Sequence, residues 1–387
     1  MRLRFICSRI RPGSCGVGDY TRRLAAAVAR QDIPVEIVAT HDTEVKITQE
    51  CELQEGEERI PCLRIAFRDS GAREKALRYR IPKKEEIWSF QFSGFYAYHP
   101  KGWPYTFHSQ IARHLKNKPL HIMCHEIGLN PYAAMPLKRK ILGILQRKEF
   151  LRFLRQSTPL LIHTHTPYYR SWLENLGWEA SLLQLFGNIP RFPSNGWTVQ
   201  QLNVEQKKGE VGWVVGVFGT VHPDWNPLPF FDRILPILES RRIHLILTFI
   251  GRSGSHLPQC VTQLQNAYGD RLSTVVLGEQ PPKRIADFFS ILRFGLSTNG
   301  WGLNAKSGTV AAMLDHGVPV VVLQNTLYAS YGEVREGLIR EESFFSDLEK
   351  ARVAVAKQGP CLQLVADQFL EDLREAAAKP LTPKRRL

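Results

Sequence analysis

The stretch RLRFICSRIRPGSCGVGDYTRRLAAAVARQDIPVEIVAT, residues 2–40, contains the pattern that decides the fold. It opens with an apolar run over residues 2–10, which is typical of a buried strand. A turn rich in glycine follows, and apolar side chains then recur at helical spacing from Asp19 to Arg30. A second apolar run begins at Pro34. Strand, glycine turn, helix and strand in this order predict a βαβ unit and therefore a parallel sheet.

The second half of the chain repeats this alternation with short connections. Strands are predicted in VGWVVGVFGTV, IHLILTFIG, STVVLGEQ, FGLSTN and VPVVVLQ, and helices in PFFDRILPILES, VTQLQNAYG, KRIADFFSIL and GTVAAMLDHG. In the first half, LHIMCHE and PLLIHTHT are predicted strands on either side of a long helix over residues 137–155. We therefore expect an α/β protein with two Rossmann-like, doubly wound domains that face a cleft.

A segment rich in proline and glycine, GNIPRFPSNGW from residue 187, interrupts the pattern and indicates a linker. The predicted organisation is an N-terminal domain over 1–190 and a linker over 191–208. A C-terminal domain over 209–364 and a final helix within 365–387 complete it.

Composition restricts the classes of protein and partner. The 387 residues include 51 Lys and Arg against 37 Asp and Glu, a formal net charge of +14. This charge suits nucleic acid, acidic lipid or phosphorylated small molecules, and is also compatible with a basic protein that binds no polyanion. We expect no membrane span and no signal peptide, because no apolar run is long enough. The seven scattered cysteines contain no CxxC pair and indicate reduced thiols in the cytoplasm.

In open α/β sheets, ligands bind beyond the carboxyl ends of the strands, so the turns between strand and helix are the candidate sites. The first such turn contains Gly16 and Gly18, which would let the backbone and the helix N-terminus approach an anionic ligand closely. A tight turn with Asp19 as helix N-cap explains the same residues without a ligand.

The segment NAKSGT supplies a second candidate. Ser307, Gly308 and Thr309 lie where a helix is expected to begin, beside Lys306, and this combination of hydroxyls, glycine and free N–H groups can hold a phosphate. An ordinary Ser or Thr helix cap is the alternative interpretation.

Two further turns complete the set. His125 follows a predicted strand and could donate to a substrate hydroxyl, although a lone histidine is often structural. Gly219 and Thr220 follow the first strand of the second half and could equally be a plain turn. His163 and His165 are spaced to share one face of a strand, as a metal pair or as two polar residues at a strand end.

These segments together resemble the GT-B fold glycosyltransferases, in particular the family-four group that uses nucleotide-activated sugars. CGVGDYTRRLA resembles the glycine-rich first loop of that family, HEIG its loop with a histidine near the donor sugar, and FIGRSG and AAMLDHGVPVVV its nucleotide-binding half. The chain departs from the family at the usual pair of glutamates, whose places are taken by Asn304 and Ala312.

The resemblance implies transfer of a hexose from a nucleoside diphosphate sugar to a glycan, lipid-linked or small-molecule acceptor, with retention of configuration and without a metal or other cofactor. It implies His125 and Lys306 as catalytic residues. The residues implied in donor binding are Gly16, Gly18, Gly219, Thr220, Arg252, Ser307, Gly308 and Thr309. It also implies a role in polysaccharide biosynthesis, no nucleic-acid partner, and a last helix that crosses back to the first domain.

Two other functions fit the same sequence. One is a nucleotide-sugar epimerase or phosphorylase-like enzyme on this fold. The other is a non-catalytic basic partner subunit, which the missing glutamates favour.

The basic helix over 137–155 also suggests weak attachment to an anionic membrane surface on the inner face. Its seven cations are flanked by Phe150 and Phe153, and each exposed cation near such a surface contributes about 1 kcal/mol. The alternative is an ordinary amphipathic helix whose apolar stripe packs on the core; this stripe consists of Leu137, Ile141, Ile144, Leu145, Leu151 and Leu154.

Overall fold

A computed structural model of the chain describes residues 1–13, 15–78, 86–116, 118–129, 136–202, 211–323, 335–358 and 361–379. The chain divides into two compact units. The first comprises Met1–Gln184 and Leu362–Leu387, and the second comprises Leu185–Cys361. Each unit contains its own largely parallel sheet flanked by helices, which confirms the predicted pair of Rossmann-like domains.

The sheet of the first unit has the strand order β3-β4-β2-β1-β5-β6-β7-β8, in which only the β3–β4 pair is antiparallel among the described strands. Its strands are β1 (Arg2–Cys7), β2 (Val35–Asp42), β3 (Gln49–Glu55), β4 (Glu58–Ala66), β5 (Glu86–Phe92), β6 (Leu120–Cys124), β7 (Leu161–Thr164) and β8 (Ser181–Leu182).

Helices cover this sheet. They are α1 (Gly16–Ala29), α2 (Ser70–Arg78), α3 (Tyr105–Phe107), α4 (Arg113–Leu115), α5 (Leu137–Ser157), α6 (Pro167–Glu174) and, from the end of the chain, α13 (Leu362–Ala378). Helix α13 packs against α1 and β7, so the last segment of the chain completes the first unit. Aromatic rings fill the core beneath α5, where Phe92 and Phe150 lie 4.7 Å apart.

The second unit is wholly parallel over its described strands, in the order β11-β10-β9-β12-β13-β14. Its strands are β9 (Val211–Phe218), β10 (Ile243–Ile250), β11 (Leu272–Gly278), β12 (Phe294–Ser297), β13 (Val320–Val322) and β14 (Leu338–Arg340). Its helices are α7 (Trp197–Leu202), α8 (Leu228–Ser240), α9 (Leu257–Tyr268), α10 (Pro282–Ser290), α11 (Gly308–Asp315) and α12 (Phe344–Gln358).

The strand order of the second unit is the Rossmann order 3-2-1-4-5-6. Helices on both faces bury the central strands, which explains why the sequence reads as continuous apolar runs there. The predicted linker over 191–208 includes α7, which contacts α10 within the second unit, whereas residues 203–208 lie outside the described residues.

The start of α1 differs from one interpretation of the sequence. The helix begins at Gly16, three residues before Asp19, so the proposal of Asp19 as N-cap is wrong. The Asp19 carboxylate instead accepts from the backbone N–H of Gly13 at 2.9 Å and from Arg22 at 2.6 Å. It therefore closes the turn before the helix.

Helix α5 forms where predicted, but the face that it buries differs in part from the one expected. The first half of the stripe expected to pack on the core is exposed, because Leu137, Ile141 and Ile144 are each at least half accessible to solvent. The second half is covered: Leu145 and Leu151 are partly buried, and Leu154 is fully buried. Phe150 and Phe153, expected on the flanks, are fully buried. The buried face is instead defined by residues that include Gly143 and Gln146, which are small or make specific hydrogen bonds.

Candidate functional site

The second sheet reverses its winding between β9 and β12, and such a switch point is where Rossmann-type sheets bind ligands. Gly219 directly follows β9, and Thr298 directly follows β12. The Thr298 hydroxyl donates to the carbonyl of Thr220 at 2.8 Å, which joins the two turns. This edge of the sheet therefore carries the candidate site of the second unit.

Gly219 is a glycine for two physical reasons. Its φ of +86° lies in the left-handed region, and a Cβ at this position would come within 2.7 Å of the Thr309 methyl group. The turn can thus approach the start of α11 only without a side chain. Thr220 extends the contact to the next turn, because its hydroxyl donates to the carbonyl of Arg252 at 3.2 Å.

Ser307 occupies the N-cap of α11, with extended backbone and a hydroxyl that accepts from the N–H of Val310 at 3.4 Å. The same oxygen accepts from the Asn299 amide at 3.2 Å and lies 3.0 Å from the Thr309 hydroxyl. The space around the Gly308 α-carbon is open. Ser307 therefore caps α11, as the interpretation without a ligand predicts. The same helix start also carries two hydroxyls and the open backbone of Gly308.

Asn304 and Ala312, at the positions where the family that the sequence resembles carries glutamates, are held by the surrounding structure. Asn304 is buried, accepts from the Ser297 hydroxyl at 2.7 Å and donates to the carbonyl of Gly300 at 3.0 Å. The α-carbon of Ala312 would lie 2.6 Å from a Cβ added to Gly187. A longer side chain at Ala312 would have to fit against this close backbone approach.

The two predicted cations of the second unit lie on its surface. Arg252 is paired with Glu279 at 2.8 Å, and both side chains are 63% exposed. Lys306 ends the short 3₁₀ turn Trp301–Lys306 directly before the cap and is partly exposed. In the second unit, the structure thus brings Gly219, Thr220 and the hydroxyls of Ser307 and Thr309 together, with the backbone of Arg252 beside them.

In the first unit, the glycine turn after β1 has one glycine that packing requires. A Cβ on Gly18 would lie 2.5 Å from the carbonyl oxygen of Arg9, whereas one on Gly16 would meet open space. Cys15, at the N-cap, makes no capping hydrogen bond with its side chain. The first N–H groups of α1 are therefore left without a cap from that residue.

His125 follows β6 as predicted, and both of its ring nitrogens have protein partners. Nε2 lies 2.9 Å from the Gln91 side-chain oxygen, and Nδ1 lies 3.1 Å from Nε2 of His165. The ring edge of Tyr20 from α1 packs against it with centroids 4.8 Å apart. Burial and the neighbouring imidazole hold the pKa of His125 well below its usual range, so the ring is neutral at pH 7. A substrate would have to replace one of these partners to bind a ring nitrogen.

The other two histidines that the sequence singled out belong to hydrogen bonds rather than to a metal cluster. His165 donates to the carbonyl of Leu183 at 2.7 Å, and His163 donates to Asp372 at 2.8 Å. In the described ranges, no three His, Cys, Asp or Glu side chains converge in a way that could hold a metal ion. Sequence reasoning missed Gln91 and Asp372, because only strand register and the return of α13 bring them to the histidines.

No protein-family model matches the chain, and no curated protein matches its sequence. Solved structures match over nearly the whole length. An alpha,alpha-trehalose-phosphate synthase (UDP-forming) from Burkholderia vietnamiensis is similar at 11% identity and a TM-score of 0.58, covering 97% of this chain and 99% of its own. The catalytic domain of Starch Synthase IV from Arabidopsis thaliana, bound to ADP and acarbose, is similar at 11% identity and a TM-score of 0.53, covering 98% and 100%.

The chain has the GT-B fold. A protein described as a UDP-N-acetylglucosamine 2-epimerase from Listeria monocytogenes shares it at 13% identity and a TM-score of 0.51, with 96% of each chain covered. Transferases and an epimerase thus share this architecture. No helix within the described ranges is both long and apolar enough to cross a bilayer.

Proposed function

We propose that this protein is a glycosyltransferase that takes a hexose from a nucleoside diphosphate sugar and transfers it with retention of configuration. The observation that carries the proposal is the cluster at the switch point of the second sheet. There the glycine turn at Gly219 lies against the helix start that presents the hydroxyls of Ser307 and Thr309.

The chemistry of the leaving group explains why such a cluster is suitable. Cleavage of the donor develops negative charge on a diphosphate, and hydrogen-bond donors preorganised around it lower the barrier. The free N–H groups and positive dipole of the α11 N-terminus, the two hydroxyls and the cation of Lys306 provide donors and positive charge in one place. In this proposal Lys306 stabilises the diphosphate, and His125 donates to a substrate hydroxyl.

The double variant Ser307→Ala with Thr309→Ala tests this assignment. If the hydroxyls hold the diphosphate, each lost contact to a charged group removes about 1.5–3 kcal/mol of binding, which lowers transfer roughly ten- to hundredfold per contact. If they only cap α11, the unfolding free energy falls by about 0.5–2 kcal/mol and donor binding stays unchanged. Melting temperature and donor affinity are therefore measured on the same protein.

Thr262→Ala is a matched control, because its exposed hydroxyl donates to a helix carbonyl in α9 of the same unit. It should leave both quantities unchanged. A screen of nucleoside diphosphates and their sugars by thermal shift identifies the donor, since a ligand that binds only the native state raises the melting temperature.

An epimerase is the second candidate function, and the match to the Listeria protein favours it. Incubation with the donor sugar alone separates the two activities. An epimerase changes the configuration of the sugar without an acceptor, whereas a transferase forms product only when an acceptor is present. A protein that binds no nucleotide sugar at all would instead be the non-catalytic partner subunit.

We also propose weak attachment of the first unit to an anionic membrane surface through the N-terminal half of α5. Leu137, Ile141 and Ile144 are exposed at a spacing that places them on one face of the helix. Residues 137–148 contain five Lys and Arg and no acidic residue. Exposed aliphatic side chains flanked by cations are typical of helices that lie in a lipid interface.

Co-sedimentation with vesicles that contain phosphatidylserine tests this attachment. Binding should be clear at low salt and weak at high salt, because exposed charges are screened. Ile141→Ser with Ile144→Ser should reduce it, whereas Leu364→Ser, an exposed leucine on α13, should not. No binding at low salt would contradict the proposal.

A further inference from the structure

A series of hydrogen-bonded polar side chains crosses the first sheet beneath α13. It begins at His163 on β7, whose Nε2 lies 2.8 Å from the Asp372 carboxylate on α13. The other ring nitrogen of His163 lies 3.1 Å from Nε2 of His121 on β6. His121 Nδ1 in turn lies 2.9 Å from the Ser89 hydroxyl on β5.

The series continues along β5 to the carboxyl edge of the sheet. The Gln91 amide donates to the Ser89 hydroxyl at 2.8 Å, and its oxygen lies 2.9 Å from His125 Nε2. His125 Nδ1 contacts His165 Nε2 at 3.1 Å, and His165 Nδ1 ends the series at the carbonyl of Leu183, 2.7 Å away. We call these side chains the histidine network: Asp372, His163, His121, Ser89, Gln91, His125 and His165.

The interior of the network is isolated from solvent, whereas two of its members reach the surface. His121, His163, Ser89 and Gln91 have no accessible surface. The Asp372 side chain is 19% exposed, and His125 is partly exposed. Water therefore cannot complete the hydrogen bonds among His163, His121, Ser89 and Gln91, and each of these bonds must be made by the side chains themselves.

Both ends of the series are acceptors, because a carboxylate and a carbonyl have no proton to donate. Seven hydrogen bonds connect the two ends, and each needs one proton. The four neutral imidazoles, the serine hydroxyl and the glutamine amide supply one proton each, six in total. This count is independent of the imidazole tautomers and of the amide orientation. The neutral network therefore leaves one contact with two facing lone pairs.

We propose that the histidine network is a binding site for a single proton, which is balanced by the Asp372 carboxylate. The proton completes the His125–His165 contact while Gln91 donates to Ser89, and it is shared with His121 and His163 only when the Gln91 amide turns over. One added proton makes all seven hydrogen bonds. A second would place two like charges in a solvent-free interior, which strongly disfavours it. The proposal does not depend on glycosyl transfer, because it concerns only residues of the first unit.

The groups around the network agree with this arrangement. The Tyr20 ring from α1 packs against His125 and His165, and the Phe369 ring from α13 packs against His121 and His163. The second oxygen of Asp372 accepts from Gln368 at 2.7 Å.

Burial and imidazole neighbours lower the pKa of His121 and His125, and burial lowers that of His165 to about 4. These effects disfavour a charged imidazole, whereas the hydrogen bond that the added proton completes favours it. We therefore expect the shared proton to bind below the ordinary histidine pKa of about 6.5.

The experiment is a pH titration of the full-length protein, with the four imidazoles followed by ¹⁵N NMR and folding checked by circular dichroism. The expected result for the natural sequence is uptake of one proton by the network below pH 6.5. In Asp372→Asn, an amide donor replaces the acceptor and completes the seven bonds, so the uptake should disappear. In Gln91→Glu, one proton is removed from the series and a buried carboxylate is added, so the network should take up two protons, the first at a higher pH than in the natural protein.

Asp367→Asn is the matched control, because Asp367 lies on the same helix and its exposed carboxylate accepts from Gln31 and Gln363 outside the network. It should titrate like the natural protein. If Asp372→Asn fails to fold, Gln91→Leu gives the same test, since it divides the series into two parts that each have as many protons as bonds. Four imidazoles that stay neutral in the folded natural protein, or unchanged uptake in the folded Asp372→Asn or Gln91→Leu variant, would overturn the proposal.

Discussion

The two sheets of this protein have a similar, largely parallel construction, but the first buries a series of polar side chains within its apolar core, whereas the second buries mainly apolar ones. In the first, Ser89, Gln91, His121 and His163 are fully buried among the strands. In the second, the corresponding central strands bury residues such as Phe249 and Phe294. An apolar interior is stabilised by burial alone, whereas a polar interior is stabilising only when each hydrogen bond is made. The stability of the first unit should therefore depend on pH and on each hydrogen-bond partner, and that of the second unit on the volume of its buried side chains.

Acidification should produce the largest difference between the units. Burial lowers the pKa of His41 to about 3 and that of His165 to about 4, and the pKa values of His121 and His125 are also well below normal. Between these values and about 6.5 the unfolded state binds more protons than the folded state. The free energy of unfolding thus has its full value above pH 6.5. It falls as pH decreases, by about 1.4 kcal/mol per pH unit for each such histidine.

Hydrogen exchange of peptides from both units, measured between pH 7 and pH 4.5 with correction for intrinsic rates, checks this expectation. Peptides of the first sheet should lose protection first. Earlier loss of protection in peptides of the second unit would contradict this prediction.

Phe249→Ala tests the apolar interior. Removing this fully buried ring from β10 should lower the unfolding free energy of the second unit by about 3–5 kcal/mol, because it leaves a cavity in a close-packed core. The loss should be the same at pH 7 and pH 5.5, since the ring carries no titratable group. Urea unfolding at both values measures it. Val276→Ala, at a half-exposed position of β11, is the control and should change little.

Ser89→Ala tests the polar interior with a much smaller change in volume. It leaves His121 Nδ1 and the Gln91 amide without their hydrogen-bond partner in a dry environment, which should cost about 1–3 kcal/mol. Chemical unfolding of the first unit at pH 7 reports this loss. Ser109→Ala removes an exposed hydroxyl of the same unit and should have almost no effect. Equal effects of the two variants would show that burial of the network adds nothing.

Arg252→Ala should give the smallest effect on stability, about 0–1 kcal/mol, because its pair with Glu279 is exposed and screened. It tests whether a change at the candidate binding edge of the second sheet leaves the stability of that unit unaffected. Under the proposed function, donor affinity should fall while the melting temperature stays constant. The reverse pattern, a lower melting temperature with unchanged affinity, would assign Arg252 to the structure alone.

The same contrast explains which elements the sequence predicts. The second unit is contiguous in the chain, and its strands are apolar runs bounded by glycine turns, so periodicity identifies the elements from β9 to β13, but not α7, β14 or α12. The hairpin of β3 and β4 was missed because QECELQE is polar and half exposed, which hides its strand character. The N-terminal half of the apolar stripe of α5 was misassigned because the buried face there consists of Gly143 and Gln146.

The candidate site shows a similar limit. Ser307 and Gly219 could be identified from the sequence, because turn residues after strands are local signals. The histidine network could not be identified, because it depends on strand register. Ser89 lies opposite His121 in the β5–β6 pair, and His163 lies opposite Met123, two residues after His121, in the β6–β7 pair. Nothing in the local sequence specifies these alignments, nor the return of Asp372 from 209 residues away.

The return of α13 also has a consequence for the order in which the protein is made. A ribosome releases every strand of the first sheet before it begins the second unit, Leu185–Cys361, and reaches Leu362 only afterwards. The second unit has all of its chain at that point and can fold during synthesis, whereas the first must wait with its polar interior uncovered on the α13 side. The first unit is therefore begun before the second but finished after it, and nascent chains stalled before Leu362 should be the form that chaperones meet.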